Sequence, residues 1–568
     1  MRLEETVRKF ALQNALSHGG KAERGAVMSR VLGERSDLRA KAGEVAKAAD
    51  RIIKEVNALT EGEQRKTLEA LAPELLVERK AERTTGLPDL EGAVEGQVVM
   101  RFAPGPSGPL HIGHARAAVL NDEYCRRYKG KYILRLEDTD PARVLPEAYH
   151  MIEEDMAWMG CKVHEVVVQS TRFERYYEIA KRLLEIGKAY VCTCKPDDWR
   201  RLKDKKKPCP HRHLDPSSQL EAFQAMLSGG FGPEQAALIG QTDLSHPNPA
   251  VRDFPLLRIE DTPHPRTGTR YRVYPLMNFS VSVDDHDLGL THVLRGKDHL
   301  NNTERQRYLF DHLGWAMPHY IHYGRVRIEG LELSTSKMWV GIQRGDFTGW
   351  DDVRLGTIRA LSRRGYRPES IRGYWVDASV KEVDIVFSWK NLNAIDKKRA
   401  DREACRLFFV GRPTAVDVEA PSDLVARPPR LPDDPAAGRR ELTLRQRPGG
   451  LGRALIPDED AARLAQGSVF RLKDLGNFTW SGEGKARYLD NDLASAKGAP
   501  ILHWLPDDPA QALPATLSMP DGTRVEGRME AAARAESGRV VQLERVGLAR
   551  LDRQSSPPAE VVAFFLYR

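Results

Sequence analysis

Between residues 97 and 345 short β-prone runs alternate with helical ones, and this rhythm limits the fold of the chain more than any other feature. "QVVMRF", "KYILRLE", "THVLRG" and "IHYGRVRI" are the extended runs, separated by helical patterns such as "RYYEIAKRLLEIG". Such alternation favours a parallel sheet covered by helices, because a parallel neighbour is reached only through a crossover. From about 190 to 273 the rhythm fails, and Cys, Pro and the basic run "RRLKDKKKPCPHRH" take its place, as in an insertion. At 568 residues the chain is too long for one core, and three to five domains are expected.

Residues 1 to about 82 carry helical stripes, Leu3, Val7 and Phe10 on one and Ile52, Val56 and Leu59 on another. Gly19 and Gly20 can end a helix, and Thr60 with Glu63 has capping-box spacing for the next. "TTGLPDLEGAVEGQ" reads as a linker. Beyond 410, short alternating runs such as "ELTLRQ", "SVFRLKD" and "VVQLERVGLARLD" stand between turn formers, which indicates a β-barrel or a sandwich.

Composition excludes little but helps. With 41% hydrophobic and 29% charged residues the chain reads as globular. It has no run of about 18 apolar residues, and its first ten residues, "MRLEETVRKF", are charged where a signal peptide is apolar, so a cytoplasmic location and no membrane partner are expected. A net charge of +7 permits a polyanionic partner without identifying one.

The most chemical stretch is "RFAPGPSGPLHIGHARAAVL", residues 101 to 120. A strand, a Pro/Gly loop and a helix start form a plausible phosphate-binding element, since a first helical turn offers unpaired N–H groups and a positive dipole end. His111 and His114, three apart, can both face one polyphosphate, and Gly113 leaves room for its approach. A second cluster, Cys192, Cys194, Cys209 and His211, with His213 as substitute fourth ligand, is chemically suited to tetrahedral zinc, against the alternative of unbound thiols. Cys125, Cys161 and Cys405 are expected to pack.

The letters "HIGH" at 111 to 114, prefaced by "RFAPGPSG", resemble class I aminoacyl-tRNA synthetases of the glutamyl/glutaminyl subgroup, and the archaeal-type glutamyl enzymes in particular. The resemblance continues in "LRLEDTDP" (134–141), "YPLMNFSVSVDDHDLGLTHVLRG" (274–296), "LSTSK" (333–337) and "GWDDVRLGTIRALSRRGY" (349–366). It implies a multidomain α/β plus β protein. The plan would be an N-terminal helical module and linker (1–96), a Rossmann-type catalytic domain in two halves (97–189 and 274–332), an acceptor-stem-binding insertion (190–273), a helical linking domain with the LSTSK loop (333–404) and a β-barrel anticodon-binding region (405–568).

The implied activity is ATP-dependent ligation of L-glutamate to tRNA(Glu) through a glutamyl adenylate, with Mg²⁺ and with tRNA(Gln) as a further acceptor. The resemblance implies that His111, Gly113, His114, Ser334, Ser336 and Lys337 bind ATP, with His111, His114 and Lys337 catalytic. Arg101, Glu137, Tyr274, Asn278 and Arg295 would hold glutamate, Arg295 favouring its side-chain carboxylate over an amide unless it is tied to an acid such as Asp284. Zinc would lie in the insertion.

Departures from the pattern are Gly105 in the preface and, in the lysine loop, Glu332 and Thr335, which stand at the first and second lysine positions of the commoner signature. Asp138 and Asp140 read as turn and cap residues more than as magnesium ligands. The basic stretches at 200–213 and around Arg359, Arg363 and Arg364 would suit a phosphate backbone. Two alternatives stay open: a glutaminyl enzyme, disfavoured by Arg295, and a tRNA-binding paralogue without catalysis, suggested by Glu332 and Thr335.

Overall fold

The structure of the protein, a computed structural model, describes residues 3–17, 19–35, 37–38, 42–75, 86–328, 330–331, 333–448, 450–552 and 560–568. The chain divides into two compact units, residues 1–85 and 86–568. In the first, helices Leu3–Ser17, Arg24–Glu34, Ala42–Asn57 and Glu61–Leu71 close around Val7, Leu12, Val31, Ile52, Val56 and Leu68. The last helix begins with the reciprocal cap read from the sequence: the Thr60 hydroxyl accepts from Glu63 N–H and the Glu63 carboxylate from Thr60 N–H.

The second unit is built on parallel strands. Lys131–Leu136 lies between Val99–Phe102 and Glu165–Val168, parallel to both. His292–Gly296 pairs in parallel with His319–Tyr323. The two pieces meet where Thr291 N–H donates to Val99 O (3.0 Å) and the Arg101 guanidinium to Leu294 O (3.3 Å), so the strands at 99 and 292 run in the same direction. The chain therefore builds outward on one side of the 99–102 strand and later on the other. That reversal is a topological switch point, and the crevice at the carboxyl ends of the two strands is where such sheets bind ligands.

Helix Ile112–Arg127 covers the sheet through Ile112, Ala115, Val119 and Leu120. The same core takes in Leu361, Trp375 and Leu392 from the helices Ile358–Arg364, Pro368–Ala378 and Trp389–Glu403, so those helices share one interior with the sheet. The interruption after residue 188 is an antiparallel sheet in chain order, Ala189–Cys192, Ala237–Gly240, Phe254–Ile259 and Val273–Pro275.

Beyond 404 the chain forms two seven-stranded sheets. In one, the edge strands Cys405–Leu407 and Phe409–Gly411 are separated by a single residue; in the other, the edges Ile501–Leu502 and Leu505–Pro506 are separated by two. A sheet whose first and last strands follow each other directly in the chain is nearly closed, which leaves little unpaired edge. Each encloses its own apolar interior, around Phe470, Phe478 and Trp504 in one and Leu517, Leu543 and Ala563 in the other.

Candidate active site

His111 is the N-cap of the helix that follows the Pro/Gly loop, with extended backbone (φ −117°, ψ 170°). Its Nδ1 accepts from Gly113 N–H (3.1 Å) and His114 N–H (3.2 Å), while His114 Nδ1 faces His111 N–H at 3.4 Å. The two imidazoles thus form a reciprocal cap and stack, ring centres 3.6 Å apart and 15° from parallel. A Cβ on Gly113 would come within 3.0 Å of the His111 ring, so the glycine is needed for that ring to fold back over the helix start.

These contacts correct one sequence expectation. The first-turn N–H groups are already satisfied: Ile112 donates to Gly356 O (2.9 Å), Gly113 and His114 to His111, and Ala115 to His111 O (3.2 Å). The helix start therefore offers its side chains, and not its backbone N–H groups, to a ligand. Burial pushes the His111 pKa down to about 4, and burial with the neighbouring ring pushes His114 well below the usual imidazole value, so both rings are neutral near pH 7. With Nδ1 accepting in each, the proton sits on Nε2, which presents two adjacent N–H donors.

The motif is held from outside its own helix. Leu110 N–H donates to the buried Asp155 carboxylate (2.8 Å), and Ile358 N–H to Leu110 O (2.8 Å). Ser107 and Thr335 hydroxyls meet at 3.2 Å, which places the LSTSK turn against the Pro/Gly loop. Ser334 caps helix Thr335–Gln343 by accepting from Lys337 N–H (3.4 Å). Glu332 lies outside the described residues.

A cavity of about 220 Å³ opens at the switch point, lined among others by His114, Gly113, Arg101, Glu137 and Arg295. It is smaller than the roughly 300–1,000 Å³ of drug-sized sites, as suits a ligand of amino-acid size. Arg101, the next-to-last residue of the strand Val99–Phe102, approaches Asp285 at 3.9 Å. Glu137 is held by the fully buried Arg135 (3.0 Å), which also binds Asp285 (2.7 Å); burial pushes the Glu137 carboxyl up, against the pull of Arg135 and Arg101.

Arg295 donates to Gln306 Oε1 (2.8 Å) and Thr303 Oγ1 (3.4 Å) and lies 4.4 Å from the Tyr320 ring centre. The ion pair with Asp284 considered from the sequence does not form; Asp284 instead takes Arg172 (2.7 Å), Gln169 and Tyr176.

Two residues expected to bind glutamate stand back from the cavity. Tyr274 is buried in the neighbouring core, its hydroxyl on Tyr271 O (3.2 Å), and Asn278 reaches the site only through Gln306, whose amide nitrogen donates to it (3.3 Å). Ser334, Ser336 and Lys337 are likewise not among the lining residues. Asp138 is structural, accepting from Tyr149 OH (2.6 Å) and Ser170 N–H (2.7 Å).

The basic helix expected to meet phosphates is committed elsewhere. Arg359 pairs with Asp155 (3.3 Å), Arg363 with Asp351 (3.1 Å) and Asp552 (3.3 Å), and buried Arg364 donates to Leu566 O (3.2 Å). Sequence reasoning missed Asp155, Asp285, Thr303 and Gln306. The last two had a usable signal, because Asn302, Thr303 and Gln306 fall on one helical face next to "LRG".

In the insertion, Cys192, Cys194, Cys209 and His211 bring four donor atoms within 4.8 Å of one another, and His213 is not among them. Cys209 Sγ lies 3.4 Å from Cys192 Sγ, 3.5 Å from Cys194 Sγ and 3.3 Å from His211 Nδ1. Ligands about 2.3 Å from a tetrahedral zinc would stand about 3.8 Å apart, so a small expansion accommodates the ion. His211 Nε2 faces the Thr193 hydroxyl at 2.9 Å, a contact that leaves Nδ1 as the ligating atom.

Known proteins agree with this layout. The sequence model of the class I (E and Q) tRNA synthetase catalytic domain matches residues 97–402, and that of the anticodon-binding domain of the same family matches 404–490. The glutamate–tRNA ligase of Methanospirillum hungatei is 48% identical, with 98% of each chain covered. That of Methanothermobacter thermautotrophicus is 48% identical over 97% of each, and that of Methanopyrus kandleri 47% identical over 98% of this chain and 97% of its own. A cavity at the switch point beside a HIGH element, carried on a chain matched almost end to end by such relatives, makes this protein a member of the class I tRNA synthetases of the E and Q group.

Proposed function

We propose that the chain joins L-glutamate to tRNA(Glu) in two steps, as a glutamate–tRNA ligase. In the first, the α-carboxylate of glutamate attacks the α-phosphorus of ATP and pyrophosphate leaves. In the second, a terminal ribose hydroxyl of the tRNA attacks the mixed anhydride, forming the ester and releasing AMP. A carboxylate with a pKa near 4 is already ionised at pH 7, so the first step needs no general base, and the protein contributes placement and charge stabilisation.

The observation that carries this reading is that Arg101, Glu137, Arg295 and His114 line one cavity. Glu137 suits the α-ammonium, Arg295 the side-chain carboxylate, and the Nε2–H groups of His111 and His114 the phosphates. Lys337, in the first turn of its helix, would reach the leaving pyrophosphate from the LSTSK side. Mg²⁺ travels mainly with phosphates and water, so the site need not supply a cage for it.

These three relatives are all glutamate enzymes, which favours glutamate over the glutaminyl alternative and lends no support to tRNA(Gln) as a second acceptor. Among the described residues no helix is long and apolar enough to cross a membrane, in keeping with a cytoplasmic translation enzyme. Glutamate-dependent pyrophosphate exchange in the presence of tRNA(Glu) tests the assignment; a protein that only binds tRNA would show none.

The Cys₃His cluster fits structural zinc, and the metal would fasten the end of strand Ala189–Cys192 to the turn Pro210–His213. One zinc per chain is expected on elemental analysis. Cys209→Ser should lose it and make the insertion the first site of proteolysis, at a cost of several kcal/mol locally. Metal-free protein with an unchanged cleavage pattern would remove the ion from the account.

A further inference from the structure

The walls of the amino-acid cavity are not electrically balanced, and Gln306 is the residue that keeps them so. Three guanidiniums face this region, those of Arg101, Arg135 and Arg295. Two carboxylates answer them: Asp285, 2.7 Å from Arg135 and 3.9 Å from Arg101, and Glu137, 3.0 Å from Arg135. A third carboxylate, Asp284, also stands 3.9 Å from Arg135, but it brings its own guanidinium, Arg172 at 2.7 Å, and is bonded by Gln169 and Tyr176, so it leaves the balance unchanged.

Among the described residues no carboxylate pairs with Arg295. Its partners are the Gln306 carbonyl, the Thr303 hydroxyl and the Tyr320 ring, all neutral. Burial, reinforced by the nearby Arg101, accordingly pushes the Arg295 pKa down to about 10, still high enough to keep it charged at pH 7.

The orientation of the Gln306 amide is fixed by its neighbours. Its nitrogen donates to Asn278 Oδ1 (3.3 Å), and its oxygen accepts from Arg295 (2.8 Å) and from Tyr320 OH (3.3 Å). Gln306 is fully buried and lines the cavity, so it can position the guanidinium without neutralising it. The surplus of one positive charge matches free glutamate, whose two carboxylates and one ammonium leave a single negative charge. Glutamine carries none.

We propose that Gln306 is a specificity-determining positioning residue: it anchors Arg295 through a neutral acceptor and so reserves that cation for an acidic side chain. This rests on the glutamate-ligase reading above. Gln306→Glu keeps the size and the acceptor but sets a carboxylate beside Arg295, so it isolates charge from shape.

The test is aminoacylation of tRNA(Glu) with glutamate and with glutamine, varying each amino acid and, separately, ATP. For Gln306→Glu the glutamate-to-glutamine ratio of kcat/KM should fall about 10²-fold or more, mainly through KM for glutamate, with KM for ATP within a few-fold of the parent value. For Gln306→Met, which removes the acceptor but adds no charge, glutamate use should fall while the ratio stays within about tenfold. A Gln306→Glu ratio equal to the parent's, loss of both amino acids and ATP binding alike, or a collapsed ratio in Gln306→Met would each overturn the proposal. If Gln306→Glu does not fold, the Gln306→Met ratio alone decides. Failure of the unaltered protein to charge glutamate would instead overturn the ligase reading itself.

Discussion

Replacing Arg295 by leucine is expected to lower kcat/KM for glutamate by about 10²- to 10⁴-fold, because stranding one partner of a buried charge pair costs about 3–5 kcal/mol. The substrate carboxylate would enter the pocket and find the Gln306 carbonyl and the Tyr320 ring where a guanidinium had been. Leucine removes the charge and the hydrogen bonds together. KM for ATP should move little, since Arg295 meets no residue of the imidazole pair or of the LSTSK turn. Steady-state charging kinetics with each substrate varied in turn check this, and a glutamate kcat/KM within tenfold of the parent would remove Arg295 from the binding site.

His114→Ala is expected to lower kcat by about 10²-fold or more, the usual consequence of deleting one preorganised donor aimed at developing charge. The effect should not add to that of His111→Ala. Each ring caps the N–H of the other and their faces stack at 3.6 Å, so losing one frees its partner to leave the productive position. The double variant should thus be little worse than the poorer single one, as expected of residues that act as a unit. Single-turnover adenylate formation with tRNA bound measures the step directly; near-normal rates in His114→Ala would refute the role.

Much of the layout was legible in the sequence because it depends on local patterns. The alternation of runs such as "KYILRLE" with amphipathic helices specifies a parallel sheet before any coordinate is seen, and the capping box at Thr60 is written in two residues three apart. The strand Glu165–Val168 escaped notice because four residues at a sheet edge give too short a pattern to stand out. The C-terminal runs indicated a barrel or a sandwich but not two nearly closed sheets, because closure depends on pairing between strands far apart in the chain, such as Ala515 with Val561.

The site was legible in its residue types and less so in its wiring. "HIGH" and "LRG" pointed to His111, His114 and Arg295, yet the sequence could not show that His111 folds back to consume the helix N–H groups. Nor could it show that Arg359 and Arg363 turn inward to carboxylates distant in sequence. Tyr274 follows the same logic: its position in the motif is plain, while the direction of its side chain is settled by Phe173, Tyr271 and His264 packed around it.

What most directly tests the charge-matched cavity is the preference of the unaltered protein between two amino acids of nearly identical shape. Charging of purified tRNA(Glu) with L-glutamate and with L-glutamine, compared as kcat/KM, should favour glutamate by at least about 10³-fold, since the acidic side chain alone neutralises Arg295. Equal use of the two, or a preference for glutamine, would contradict the account.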